Sequence, residues 1–294
     1  MKLRATIVTL ALGLFVIAFA SAVSAQQSES DRASNQPVKP FRVIGNIYYV
    51  GASEVTSFLI TGNAGHILLD AGFAETAPQI EQNIAALGFR LADVKILLNS
   101  QAHFDHAGGL AKLKQLTGAQ LIASAADADQ IARGGKGDFA FGDRLFYEPV
   151  KAGRIIADGE SITLGDTKMT AHLTPGHTKG CTTWTMSVAE NNKTYQVVFL
   201  GGVTIPGYKL VGNAQYPNIA EDYAHSFALL KQLPCDVFLG AHGSYFGLQK
   251  KLPHLGETPN PFIDPDGYRR HIDEFERAFH EQLDREKHGP PAAK

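Results

Sequence analysis

Three side chains that bind metals well, His103, Asp105 and His106, fall within four residues of one another in the stretch Asn99–Ser100–Gln101–Ala102–His103–Phe104–Asp105–His106–Ala107–Gly108–Gly109. Val94, Ile96, Leu97 and Leu98 precede them as a strand, which delivers the cluster to a sheet edge where a metal stays open to substrate. Two further histidines hold comparable places. His177 lies in the Pro-Gly turn Thr174–Pro175–Gly176–His177–Thr178–Lys179–Gly180, and His242 in Gly240–Ala241–His242–Gly243, each just after a strand pattern. Zinc takes nitrogen, carboxylate or thiolate donors, usually four, and a catalytic site leaves one position for water. Asp105, His106 and His242 can supply one three-ligand position. His103 and His177 supply two ligands of another, for which Gln101 is the candidate third. A neutral amide oxygen is a weaker zinc donor than imidazole or carboxylate. The expectation is therefore a tight zinc site at Asp105/His106/His242 and a weaker second site at Gln101/His103/His177.

The remaining histidines, at 66, 172, 225, 254, 271, 280 and 288, lack such a setting and are read as surface, core or supporting residues. Asp70, ending the strand pattern Ile67–Leu68–Leu69, either orients a metal-bound histidine or caps the following turn.

Short β-type runs at 41–44, 47–50, 55–61 and 66–70 are separated by glycine and asparagine turns. Ile80, Ile84 and Leu87 predict a helix over 76–87, closed by Gly88, and Leu110, Leu113 and Leu116 predict another over 107–117. A strand at 119–123 and a helix at 125–133 follow. The segment Gly134–Gly153, rich in glycine and holding Phe139, Phe141, Phe146 and Tyr147, reads as a long aromatic loop that serves as a lid or packs over a core edge. Strands then recur at 154–157, 161–164, 168–173, 182–188 and 195–200. A helix at 220–232, a strand at 236–239 and a long helix at 265–286 complete the pattern. Strands end in histidines in both of two similar halves, which predicts one α+β domain of two packed sheets with helices outside and the metal ligands where the halves meet.

With 294 residues, 44% of them hydrophobic, the chain can bury a substantial core. Lys2 and Arg4 precede an apolar run from Ala5 to Ala20, and Val23–Ser24–Ala25 suits a cleavage site, so residues 1–25 read as a secretory signal peptide. The alternative is an uncleaved anchor, for which the run is short. The division expected is signal peptide 1–25, flexible lead-in 26–40, catalytic domain 41–288 and tail 289–294. Export implies a periplasmic or secreted protein without stable membrane association. The net charge of -2, or -4 once residues 1–25 are removed, gives no basic surplus for nucleic acid. Cys181 and Cys235 form one disulfide or remain two free thiols.

Taken together, the motifs resemble the class B metallo-β-lactamases of subclass B3 over nearly the whole mature length. The segments that carry the resemblance are ILLDAG (67–72), SQAHFDHAGG (100–109), ARGGKGDFAFG (132–142), ADG (157–159), TPGHT (174–178), PGYKL (206–210), EDY (221–223), LPCDV (233–237) and GAH (240–242). A minority type of this subclass carries glutamine at the first ligand, as Gln101 does here. The resemblance implies an αββα sandwich (metallo-β-lactamase fold) with a zinc groove between its halves. It assigns Gln101, His103 and His177 to one zinc and Asp105, His106 and His242 to the other. It also places Tyr208 near the reacting carbonyl, so Asp105 and Tyr208 are the expected catalytic residues and Thr204 and Tyr208 the expected substrate contacts.

Two departures stand out. No cysteine follows Cys235, so the disulfide that relatives form with the last helix has no second half. Where other superfamily members place a metal-bridging aspartate, and many B3 enzymes a serine, this chain has Gly202, with Thr204 two positions on. Gly202 is expected to leave room for a bridging hydroxide and substrate. The implied reaction is zinc-dependent hydrolysis of the β-lactam amide bond of penicillins, cephalosporins and carbapenems by a metal-bound hydroxide. A hydrolase of the same fold acting on a lactone or thioester is the runner-up, disfavoured by Gly202 and the export signal. A mono-iron persulfide oxygenase would also need that aspartate, and five intact ligands argue against a decayed binding protein.

Overall fold

A computed structural model describes residues 28–289, so the expected signal peptide and all but Gly289 of the expected tail lie outside the described residues. Seven strands form the first sheet in chain order: β1 (Phe41–Ile44), β2 (Ile47–Tyr49), β3 (Phe58–Gly62), β4 (Gly65–Leu69), β5 (Val94–Leu98), β6 (Gln120–Ser124) and β7 (Arg154–Ile156). Pairing is antiparallel from β1 to β4 and parallel from β4 to β7. The second sheet runs β12-β11-β10-β9-β8, from β8 (Ser161–Leu164), β9 (Thr167–Leu173), β10 (Thr182–Glu190), β11 (Lys193–Leu200) and β12 (Val237–Gly240). Its pairs are antiparallel except β11 with β12.

Successive side chains of a strand point to opposite faces, and the alternation in the first sheet builds two cores. Ile60, Ile67, Leu69, Ile96, Leu98 and Ile122 face the second sheet, where Trp184, Met186, Val197 and Phe199 meet them. Leu59, Leu68, Leu97 and Leu121 face the other way, onto α2 (Ala77–Ala86), α4 (Leu110–Thr117) and α5 (Ala125–Ala132). Outside the second sheet, α6 (Ile219–Leu230) and α8 (Pro265–His288) bring Tyr223, Phe227, Ile272 and Phe279 onto the core. The layers are helix, sheet, sheet, helix, as the strand and helix pattern predicts. The halves differ in size, seven strands against five.

Three local differences from the sequence reading have physical causes. The segment read as a flexible lead-in contains α1 (Glu29–Ser34), started by a reciprocal capping box between Ser28 and Asp31. Backbone bonds from Ser53 N to Gln36 O and from Glu54 N to Ser34 O tie this segment to the loop after β2. No residue of α1 is buried, so it has no apolar stripe to betray it. Secondly, the helix expected over 107–117 is broken. The short α3 (Phe104–Ala107) ends at Gly108, and α4 starts after Gly109. A Cβ on Gly109 would lie 2.4 Å from Ala71 O, so glycine here lets the turn after β4 pass directly beneath. Thirdly, α7 (Leu248–Lys251), a single turn, had no sequence signal.

Candidate metal centre

Every expected ligand lies at a strand's carboxyl end. The loop leaving β5 carries Gln101 and His103, and α3 carries Asp105 and His106. His177 sits in the turn between β9 and β10, and His242 lies two residues beyond β12. Cross-sheet bonds lock these ends together: Thr182 N donates to Ser100 O at 2.8 Å, and Trp184 Nε1 donates to Asn99 O at 3.1 Å. Thr56 N donates to Ala241 O at 3.1 Å beside an isolated bridge from Val55 to His242.

The six expected ligands gather as two sets. His106 Nε2 lies 3.2 Å from His242 Nε2, and Asp105 Oδ2 lies 3.2 and 3.8 Å from those two nitrogens. Among the described residues these three form the one group of three His, Cys, Asp or Glu side chains spaced to hold a metal, with ligand atoms within 4.8 Å of one another. In the second set, His103 Nδ1 lies 3.1 Å from His177 Nε2, their rings at 73°. Gln101 is fully buried, and neither its Oε1 nor its Nε2 has a hydrogen-bond partner. A buried amide without partners costs free energy, which a cation at Oε1 would offset. The donor chemistry therefore fits a metal at both positions, with the Gln101 set the poorer.

The outward ring nitrogens explain how each histidine is aimed. His177 Nδ1 donates to Thr204 O at 2.8 Å. His106 Nδ1 faces Asp70 Oδ2 at 3.7 Å, His103 Nε2 faces Asp138 Oδ2 at 3.6 Å, and His242 Nδ1 faces Glu54 Oε1 at 3.7 Å. These last three are ion-pair rather than hydrogen-bond distances. An acceptor on one ring nitrogen fixes the tautomer and leaves the other free for a metal. Of the two roles the sequence allowed Asp70, its side chain faces a ligand histidine and, rather than capping its own turn, ties down the loop after β5. At a left-handed φ of 62° it turns the chain after β4; its Oδ1 accepts from Ser100 N at 2.7 Å, and its Oδ2 accepts from Ser100 Oγ at 2.6 Å and also faces His106 Nδ1.

Burial opposes charge on Asp105, yet the facing His106, His242 and His103 hold its carboxyl well below the usual carboxylate range. Burial likewise opposes a charged His106, but Asp105 and then Asp70 push it up to about 10. His242 falls to about 4, through burial and the neighbouring His106, and burial with His103 takes His177 well below its ordinary value.

The remaining expected residues are placed as follows. Tyr208 is buried, and its hydroxyl donates to His177 O at 3.1 Å, with Phe139 edge-on against its ring at 4.9 Å. Thr204 buttresses His177 through its carbonyl and through Oγ1, 3.2 Å from Nδ1. At Gly202 there is no room for a side chain: a Cβ there would meet His177 Cδ2 at 2.3 Å and Gln101 Oε1 at 2.6 Å. Both cysteines are free thiols. Cys181 Sγ accepts from Gly202 N at 3.1 Å, and burial pushes its pKa up to about 12.

Sequence reasoning missed three carboxylates at this centre. Glu54 and Asp138 face ligand histidines, while the buried Asp127 accepts from Thr178 Oγ1 and Gly180 N, both at 2.9 Å, fixing the turn that carries His177. None lies next to a ligand in sequence; the local signals were the place of Asp127 in the first turn of α5 and that of Asp138 within the segment 132–142.

The family model described as the metallo-beta-lactamase superfamily matches residues 50–242. The chain belongs to that superfamily. Among solved structures, the native metallo-β-lactamase from Legionella gormanii is 43% identical, covering 87% of this chain and 99% of that one at a TM-score of 0.84. A class B3 di-zinc metallo-β-lactamase from an Alaskan soil metagenome is 36% identical, covering 89% and 100% at a TM-score of 0.83. These full-length likenesses place the chain among the B3 metallo-β-lactamases. A more distant curated relative is an acyl-coenzyme A thioesterase of Gallus gallus, 23% identical over 69% of this chain and 77% of that protein.

Proposed function

We propose that this B3 metallo-β-lactamase hydrolyses the amide bond of β-lactam antibiotics with zinc, acting in the periplasm or after secretion. The observation that carries the reading is the likeness, along the whole fold, to enzymes that are themselves metallo-β-lactamases. The export signal supports the location, and no helix among the described residues is long and apolar enough to cross a membrane.

Bound zinc supplies an acidified water as nucleophile and a Lewis acid for the lactam oxygen and the departing nitrogen. Asp105, His106 and His242 would hold the tighter ion, and Gln101, His103 and His177 the weaker one, of the glutamine type. Asp105 stays a carboxylate beside His106, His242 and His103, so it can hold the ion and orient the attacking water. Tyr208 remains a neutral donor because burial raises its pKa, and its hydroxyl reaches a substrate oxygen by exchanging its bond to His177 O. Thr204, whose Oγ1 lies 3.2 Å from the outward nitrogen of His177, supports that ring rather than meeting substrate in this reading. No acyl-enzyme is required, since the thiol nearest the centre, Cys181, is buried, protonated and engaged with Gly202 N.

The deciding experiment is turnover of a chromogenic cephalosporin by residues 26–294, with chelator and then with zinc restored. Loss and recovery are expected. Hydrolysis of acyl thioesters or homoserine lactones in preference to β-lactams, by relative kcat/KM, would overturn the substrate assignment.

A further inference from the structure

The loop Gly134–Gly153 is anchored at its base: Tyr147 N donates to Gly134 O, and Tyr147 OH donates to Ala102 O at 2.6 Å, beside Gln101. Its tip is organised by Asp138. That backbone pairs with Gly142 in both directions, and Oδ1 accepts from Ala140 N and Phe141 N, each at 2.8 Å. The other oxygen, Oδ2, points inward to His103 Nε2 at 3.6 Å, with both side chains more than nine-tenths buried. His103 Nε2 has no hydrogen-bond partner. Phe141 packs edge-on against the His103 ring at 5.4 Å, and Phe139 packs against Tyr208, which holds the His177 carbonyl. Behind the tip, a cavity of about 130 Å³ lined by Asp127, Arg133, Gly137, Asp138, Thr178 and Lys179 separates it from α5. The base of the loop is tied to the end of α5 by Gln130 Nε2 donating to Gly135 O at 2.7 Å, while the tip packs on Tyr216 and on the metal centre across that cavity.

A metal at His103 Nδ1 requires the proton on Nε2, and a buried N–H without an acceptor costs roughly 1–3 kcal/mol. Asp138 supplies the carboxylate that faces it. We propose that Asp138 is a positioning residue for His103, so that the loop tip carries part of the support for the weaker metal position and the two order each other. The support matters most here because Gln101 contributes so weak a donor. By linkage, whatever factor the ordered loop adds to metal affinity, the metal returns to the loop.

The inference rests on the two-position zinc reading, and the test separates the two. Asp138→Asn keeps an oxygen for Ala140 N and Phe141 N but sets an amide against His103 Nε2; Asp138→Ala removes both functions. Zinc and cobalt are titrated into each full mature chain against a competing chelator, with the cobalt absorption spectrum reporting each position and hydrogen exchange reporting residues 134–153. The weaker site is expected to lose roughly 10–100-fold in affinity in both variants, with the Asp105/His106/His242 site unchanged. Loop protection gained on filling the second position in the unmodified chain should be lost. Unchanged affinity at both sites in a folded Asp138→Asn overturns the inference and leaves the two-zinc reading intact. An unmodified chain that takes one metal even at saturation overturns both.

Discussion

Gly202 lies so close to Gln101 that a Cβ built on its backbone stands 2.6 Å from the amide Oε1, with the His177 ring closer still at 2.3 Å. The glutamine at the first ligand position and the glycine at the bridging position therefore share one space. An aspartate at 202 could not add a bridging ligand without displacing His177.

Gly202→Asp should lower lactam kcat/KM by roughly 100-fold and abolish uptake of the second zinc. Gly202→Ala, the smallest addition, should destabilise the fold by about 1–3 kcal/mol in urea unfolding, the usual cost of overpacking a filled interior. Two zincs retained in Gly202→Asp, by metal analysis, would contradict the steric account.

Gln101→His exchanges an amide oxygen for an imidazole and should tighten the weaker zinc by roughly tenfold or more. The unmodified chain purified without added zinc should hold closer to one zinc than two. Two equally tight zincs by chelator competition would show that Gln101 is no handicap.

Removing a donor from the tighter set should be severe. His242→Ala or Asp105→Ala is expected to cut turnover by more than about 100-fold. His225, exposed on α6, provides the control, and His225→Ala should stay within a few-fold of the unmodified enzyme. Equal damage at 225 and 242 would mean that ligands and bystanders have been wrongly separated.

His271 gives a pH dependence of stability distinct from the metal centre. It is buried among Tyr245, Phe275 and Phe238, its Nε2 has no partner, and burial lowers its pKa to about 4. The unfolded chain, with an ordinary histidine near 6.5, binds the extra proton first as pH falls. The contribution is therefore complete above about pH 6.5 and lost between there and about pH 4, by at most roughly 3 kcal/mol. His271→Phe should flatten that part of the stability curve in urea titrations at successive pH values. An unaltered slope would assign the acid sensitivity to other groups.

Much of this molecule is written in local pattern. The alternation Ile67–Leu68–Leu69 and Ile96–Leu97–Leu98 specifies a sheet with two covered faces, and the positions of His103, Asp105, His106, His177 and His242 after strands specify where ligands gather. Both depend on spacing within a few residues, which the chain carries unaided. Tertiary structure alone decided what surrounds those ligands. Glu54, Asp138 and Asp127 are ordinary acidic residues until folding brings them to His242, His103 and the His177 turn, across sequence separations that no periodicity encodes. Gly202 likewise reads as an empty place in the motif, and only packing reveals that His177 and Gln101 fill it. Strand and helix patterns arise from each residue's own preferences, whereas second contacts and occupied space arise from what the rest of the chain brings alongside.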